Sequence, residues 1–214
     1  KRKFDNMNAA QFISAILIGY LFGCFQTSYF ISIKFGKKDI REMGSGNAGA
    51  SNVTSEMGLK FGILTGISDV FKAFLPAKLI VLIFPASFQH LELMAIAGLG
   101  AVLGHIYPFF MDFRGGKGVA CYIGILLAFD WKIGVAALIF LIVITLITDY
   151  ISIASILLYM IVPCLAYYSN NYSYTVIFYT LILLIIGSGK HWVNIQNLVN
   201  GTETGFRSVF KKNK

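Results

Sequence analysis

A succession of long apolar runs constrains this chain more than any other feature. They fall at 12–33, 61–84, 92–112, 118–129, 133–148, 150–168 and 175–189, separated by short polar stretches. Hydrophobic residues make up 57% of the 214 and charged residues 13%, against roughly 45–50% and about 25% in soluble domains. A soluble fold of this length has too little interior to hide so much apolar surface. The runs therefore belong in lipid, where helices satisfy their own backbone groups. Disordered tails, disulfide scaffolds and nearly all soluble enzymes are excluded. Cys24, Cys121 and Cys164 lie far apart inside apolar runs, and read as small core hydrophobes rather than a disulfide framework or a metal site.

The expected fold is an all-α integral membrane protein of seven transmembrane helices, some of them short, forming one polytopic domain over residues 1–214. Five or six spans are the fallback, because several runs fall short of the roughly 20 residues that cross a bilayer. The weakest runs are 118–129 and 133–148, parted by Asp130, Trp131 and Lys132; one bent helix fits them as well as two. Lys and Arg mark the cytoplasmic side. With seven spans that side receives Lys34, Lys37, Lys38, Arg41, Lys60, Arg114, Lys117, Lys190, Arg207, Lys211, Lys212 and Lys214, and the other only Lys1, Arg2, Lys3 and Lys132. The C-terminus is then inside and the N-terminus outside. The first run is too long for a cleavable signal peptide, and no repeat or second soluble domain is expected. A net charge of +8 is expected to meet anionic headgroups or a phosphorylated substrate, not nucleic acid.

The outward loops, 85–92 and 169–174, are short and bland, so the cytoplasmic loops are where chemistry is expected. The first contains Gly44, Ser45, Gly46, Asn47, Ala48, Gly49, Ala50, Ser51 and Asn52, a compact run of small residues whose N–H groups can converge on an anion. A flexible linker has the same composition. The second runs from Gly104 and His105 to Arg114, Gly115, Gly116, Lys117 and Gly118, setting backbone donors beside a cation, without the spacing of a Walker A loop. His105 also fits a structural histidine, and Arg114 a basic anchor. In the third, His191 and Asn194 share a helix face if helical, followed by Glu203; a solvated helix end fits them too. Asp69 and Lys72, also three apart inside an apolar run, are expected to pair and to support the cytoplasmic site.

Together these segments resemble the bacterial membrane family of acyl-phosphate-dependent glycerol-3-phosphate acyltransferases, in order and spacing over 44–53, 69–76, 104–120 and 191–203. The resemblance implies seven helices with cytoplasmic motifs in the bacterial cell membrane. It implies transfer of an acyl group from acyl phosphate to the 1-hydroxyl of glycerol 3-phosphate, with no metal or organic cofactor. Carried over by position, Ser45, Lys117, His191 and Asn194 are the catalytic residues. Gly44, Gly46, Asn47, Gly49, Asn52, His105, Gly115, Gly116, Gly118 and Glu203 line the substrates. The His-x-x-x-x-Asp motif of acyl-CoA-using acyltransferases is missing, since His105 is followed by Asp112 seven residues later.

Three positions depart from the family pattern. Ser55 stands where the first motif normally ends in Arg, Gly205 where a basic residue follows the last Glu, and Cys121 where Thr is usual. Lys60 and Arg41 are the candidates to compensate for the lost cation. The alternatives are a different acceptor, a non-catalytic paralogue that binds lipid or acyl phosphate, and a small transporter. Transport fits less well, since transporter sites lie near the bilayer midplane.

Overall fold

A computed structural model describes residues 8–87, 89–169 and 172–208, which are helical apart from loops. Of the basic residues counted above, Lys1, Arg2, Lys3, Lys211, Lys212 and Lys214 lie outside the described residues, as do Phe88, Asn170 and Asn171 of the two outward loops.

The first apolar run does not form one regular helix. It divides into α1 (Ala9–Cys24) and α2 (Thr27–Ile31), followed by a π-helical turn over Ser32–Gly36. A helix end leaves carbonyls without intrahelical partners, and here Phe25 O accepts from Lys72 Nζ at 2.8 Å. The chain then continues through α3 (Ala50–Met57), α4 (Leu59–Ile83), α5 (His90–Ile106), α6 (Val119–Phe129), α7 (Trp131–Thr148), α8 (Ile151–Tyr168), α9 (Tyr174–Lys190) and α10 (Trp192–Val199).

Among the described residues, four stretches are long and apolar enough to cross a membrane: Ala9–Gly36, His90–Met111, Trp131–Thr148 and Ile151–Tyr168. The pair α9 and α10, bent by 52°, makes a fifth if taken as one span. Length and composition therefore support four or five spans, not the expected seven. The difference lies in α4, 25 residues that carry Lys60, Asp69, Lys72 and Lys78, and in α6, whose 11 residues rise only about 16 Å. Helices α6 and α7 are separate. Asp130 interrupts them in extended conformation, and its carboxylate caps α7 by accepting from Lys132 N at 2.8 Å.

Helix α5 forms the centre, with 78% of its most apolar stretch buried against 17% for α7. It packs on α1, α4, α6 and α9. Its contact with α1 is close because Gly19 and Gly23 face Ala97 and Ala101, while Gly100 and Gly104 face the backbone of Ile16 and Tyr20. Small residues four apart let helix backbones touch in lipid, where packing rather than water expulsion holds helices together. A Cβ on Gly100 would overlap Ile16 O. Gly100→Ala is expected to cost about 1–3 kcal/mol, read as a lower Tm in detergent. Gly189→Ala, with open space around its Cα, is expected to leave Tm unchanged.

The outer faces expose Leu21, Leu82, Ile139, Ile147 and Ile185, as a lipid-solvated surface requires. Cys24 and Cys121 are buried as expected, but Cys164 is exposed. It sits on the outward side of α8 with Met160 and Leu165, where an apolar run gives no sign of which face turns inward.

Candidate active site

The polar interior starts at α4. Lys72 Nζ lies 2.8 Å from Asp69 Oδ1, the expected pair, and His105 Nδ1 lies 3.6 Å from the same oxygen. All three side chains are buried. Gln26 Nε2 donates to His105 O at 2.9 Å, which fastens the break after α1 to the end of α5. His105 thus sits among protein groups beneath the second loop.

The first loop is shaped by two glycines and one asparagine. Gly44 and Gly46 have φ of 52° and 71°, left-handed values that favour residues without a Cβ. The buried Asn52 lies in the first turn of α3. Its Oδ1 accepts from Ser45 N at 2.9 Å, and its Nδ2 donates to Met43 O at 2.9 Å and Ile40 O at 3.3 Å. Asn52 therefore holds the loop's shape and is not presented to a ligand. Ser45 is exposed, while Asn47 and Gly49 are half-buried around the buried Ala48, whose carbonyl accepts from Ser28 Oγ at 2.8 Å.

Arg41 joins this loop to the second. Its guanidinium donates to Asp39 Oδ2 at 2.8 Å, to Met111 O at 2.7 Å and to Asp112 Oδ2 at 3.0 Å. Burial raises the Asp39 carboxyl, and the Arg41 hydrogen bonds outweigh it, leaving the group below the ordinary carboxylate range. Arg41, one of the two candidates to replace the family's arginine, is already paired with both carboxylates. Lys60 is exposed at the start of α4. Ser55 Oγ donates to Glu56 Oε1 at 3.3 Å.

In the second loop the glycine donors do not converge outward. Gly115 N donates to Ile106 O at 3.0 Å and Gly116 N to His105 O at 3.1 Å. A Cβ on Gly116 would overlap His105 Nε2, and one on Gly115 would overlap His105 O. These two glycines let the chain double back against α5, so their expected role as phosphate donors is corrected to one of close packing. Gly118, at φ 87°, starts α6. Arg114 is exposed.

Lys117 carries this loop to the third segment. Its Nζ donates to Asn194 Oδ1 at 2.6 Å, and Asn194 Nδ2 donates to Glu203 Oε1 at 2.8 Å. Ser152 Oγ, in the first turn of α8, donates to the same carboxylate oxygen at 2.7 Å. Tyr159 Oη donates to Lys117 O at 3.2 Å. Burial lowers the Lys117 pKa, the Glu203 carboxylate raises it, and Lys190 lowers it, with a net decrease. His191, also buried, donates through Nδ1 to Gly187 O at 2.8 Å; the carbonyl can only accept, so Nε2 is the acceptor of the neutral ring.

Arg41 thus ties the first segment to the second, and Lys117 ties the second to the third. Asn194 is engaged at both ends, so it acts on Lys117 and Glu203. Ser152 and Tyr159 gave no sequence signal, being single polar groups on an apolar helix. Lys190 counted only as a loop charge, yet its Nζ lies 5.1 Å from the Tyr107 ring centre, over the second loop. Among the described residues no three His, Cys, Asp or Glu side chains gather as a metal-ligating group.

Known proteins share this sequence pattern and this fold. The chain is 33% identical over 206 residues to glycerol-3-phosphate acyltransferase 1 of Oceanobacillus iheyensis, covering 94% of this chain and 98% of that protein. It is 36% identical to glycerol-3-phosphate acyltransferase 2 of Thermotoga maritima, covering 87% and 92%. Its fold matches the crystal structure of PlsY, an integral membrane glycerol 3-phosphate acyltransferase, in the glycerol 3-phosphate form, with TM-score 0.82 and 32% identity over 91% of this chain and 95% of that one. The lysophosphatidic acid form of PlsY matches with TM-score 0.80 and 30% identity, over 93% and 98%. Residues 13–201 match the glycerol-3-phosphate acyltransferase family over most of the chain, and the chain belongs to that family.

Proposed function

We propose that this chain transfers a fatty acyl group from acyl phosphate to the 1-hydroxyl of glycerol 3-phosphate, giving lysophosphatidic acid and inorganic phosphate. The reaction belongs to phospholipid synthesis, at the cytoplasmic face of a bacterial cell membrane whose lipid surrounds the helices. The observation that carries the reading is the chain Lys117–Asn194–Glu203–Ser152, which fixes one ammonium group between two motif segments of an acyltransferase family.

Acyl phosphate is an activated mixed anhydride, so no protein nucleophile is required. The acceptor oxygen bonds to the acyl carbon, the bond from that carbon to the phosphate oxygen breaks, and the electron pair leaves with phosphate. The hydroxyl proton passes to a phosphate oxygen. The protein's part is to hold the reactants and neutralise charge as it develops. Lys117 faces the phosphate charge, Ser45 and the Gly44–Gly49 loop bind phosphate, and the neutral His191 Nε2 orients the acceptor. Asn52, Gly115 and Gly116 shape these loops from behind.

Palmitoyl phosphate against palmitoyl-CoA, with glycerol 3-phosphate as acceptor in lipid nanodiscs, tests the donor. Lysophosphatidic acid is expected from the first alone; formation from palmitoyl-CoA alone overturns the reading. Ser55→Arg tests the acceptor. A charge-assisted contact is worth about 1.5–3 kcal/mol, yet a loop already suited to glycerol 3-phosphate gains little from one more cation. The variant is expected to change KM for glycerol 3-phosphate by less than about threefold, while a tenfold or larger gain would point to a different native acceptor.

A further inference from the structure

The segment after α10 is tied to the end of that helix, where Thr202 N and Glu203 N donate to Asn197 O at 2.8 and 3.2 Å, and the Glu203 side chain reaches partners on two helices. The corner between α7 and α8 supplies a second anchor beyond Glu203. Asp149 ends α7 with φ 69°. Its backbone carbonyl accepts from Phe206 N at 2.6 Å, and its Oδ1 accepts from Arg207 N at 2.8 Å. Arg207 in turn donates through its guanidinium to Leu146 O at 2.6 Å. Three residues after Asp149, Ser152 Oγ grips Glu203 itself. One corner therefore holds the segment at 203 and again at 206–207.

Gly205 belongs to this contact. A Cβ there would overlap Asp149 Oδ2, so a side chain at 205 would require the Asp149 carboxylate to shift. The departure from the family pattern at 205 is matched by a carboxylate that uses the space. The Arg207 Nε to Asp149 Oδ1 distance is 3.9 Å with Arg207 65% exposed, an ion pair of little weight. The anchor is the pair of backbone amides.

We propose that Asp149 is a positioning residue for the transfer reaction: by anchoring residues 205–207 it holds Glu203 against Ser152 and Asn194, and thereby fixes Lys117. The proposal rests on the acyl-transfer reading given above. Asp149 touches no substrate; it acts through Glu203. When the anchor is lost, Glu203 moves away from Asn194, Lys117 loses its fixed partner, and the nearby negative charge no longer supports its cationic form. The charged or titratable groups facing Lys117 are Glu203, Lys190, His191 and Tyr159, and of these only Glu203 is released.

The test compares kcat and KM for glycerol 3-phosphate across pH for the wild type, Asp149→Asn and Asp149→Gly, using phosphate release from palmitoyl phosphate in nanodiscs. Asparagine keeps the oxygen acceptor and tolerates left-handed φ; glycine removes the side chain at no backbone cost. Asp149→Gly is expected to lower kcat about tenfold, with KM less affected, and to move the alkaline limb of the kcat profile to lower pH. Asp149→Asn is expected to stay within about threefold of wild type, with the limb unmoved. Wild-type kcat and limb in Asp149→Gly overturns the proposal, as does an equal loss in both variants with the limb fixed. Amide hydrogen exchange of peptide 203–208 reads the anchor without activity. Asp149→Gly keeps the carbonyl that accepts from Phe206 N and removes the acceptor of Arg207 N, so protection at the Arg207 amide that is present in the wild type and lost in the variant supports the anchor, while absence of protection in the folded wild type, or protection unchanged in the variant, overturns it. Should the wild type release no acceptor-dependent phosphate, the acyl-transfer reading fails, while exchange still decides the anchor.

Discussion

Lys117→Ala is expected to lower acceptor-dependent phosphate release by about 10²–10³-fold, the usual effect of removing one preorganised group that meets developing charge. The size follows from the placement of Lys117. Its ammonium is fixed by Asn194 at 2.6 Å on a loop pinned from behind by Tyr159 and by the Gly115 and Gly116 amides. No reorganisation is needed when phosphate departs. Arg41, the nearest candidate substitute on the first loop, is bound to Asp39 and Asp112 and cannot take over. Folding should survive, because the lost hydrogen bond leaves Asn194 half-buried and accessible to water. Steady-state kinetics on protein with wild-type Tm checks both parts, and a rate within threefold of wild type removes Lys117 from the site.

Glu203 should produce the next largest effect, and in two separable forms. Glu203→Ala removes the acceptor shared by Asn194 and Ser152, and is expected to cost about 10–100-fold in kcat because Lys117 is no longer held. Glu203→Gln keeps an oxygen in place and removes only charge, so its kcat near neutral pH should stay within about threefold. Its effect appears in the pH profile. Burial lowers the Lys117 pKa and the Glu203 charge opposes that, so without the charge the pKa falls further. Lys117 is active as a cation, which is lost as pH rises through its pKa, and the alkaline limb therefore moves to lower pH. An unmoved limb in Glu203→Gln contradicts the electrostatic coupling.

The sequence revealed the membrane class and the motif segments for one physical reason: apolar runs and small-residue loops are local patterns. The start of α7 was only partly legible: Asp130, Trp131 and Lys132 interrupt the apolar pattern, but the choice between one bent helix and two is decided by the Asp130 cap seen in the structure. The break after Cys24 was not, since Gln26, Thr27 and Ser28 are a short polar stretch inside a longer apolar run and the stabilisation of the break comes from Lys72, 47 positions from Phe25. The glycines of the second loop illustrate a second limit. Composition cannot tell whether a glycine is present for an outward N–H or for a backbone that must pass close to a ring, and His105 decides the latter for Gly116. Asn194 was legible as a polar residue one helical turn from His191, but not that Lys117 and Glu203 occupy both ends of its amide. Ser152 and Asp149 lay hidden because their partners follow by about fifty residues or more. The count of seven spans is not confirmed by length and composition, because α6 is short and α4 carries buried charge.

The most direct test of the central claim is phosphate release from palmitoyl phosphate by the protein in nanodiscs, with and without glycerol 3-phosphate, beside Lys117→Ala. The account predicts release that depends on the acceptor, yields lysophosphatidic acid in equal amount, and is nearly abolished in the variant. Folded wild-type protein that releases no more phosphate than the variant, or releases it without regard to glycerol 3-phosphate, would contradict it.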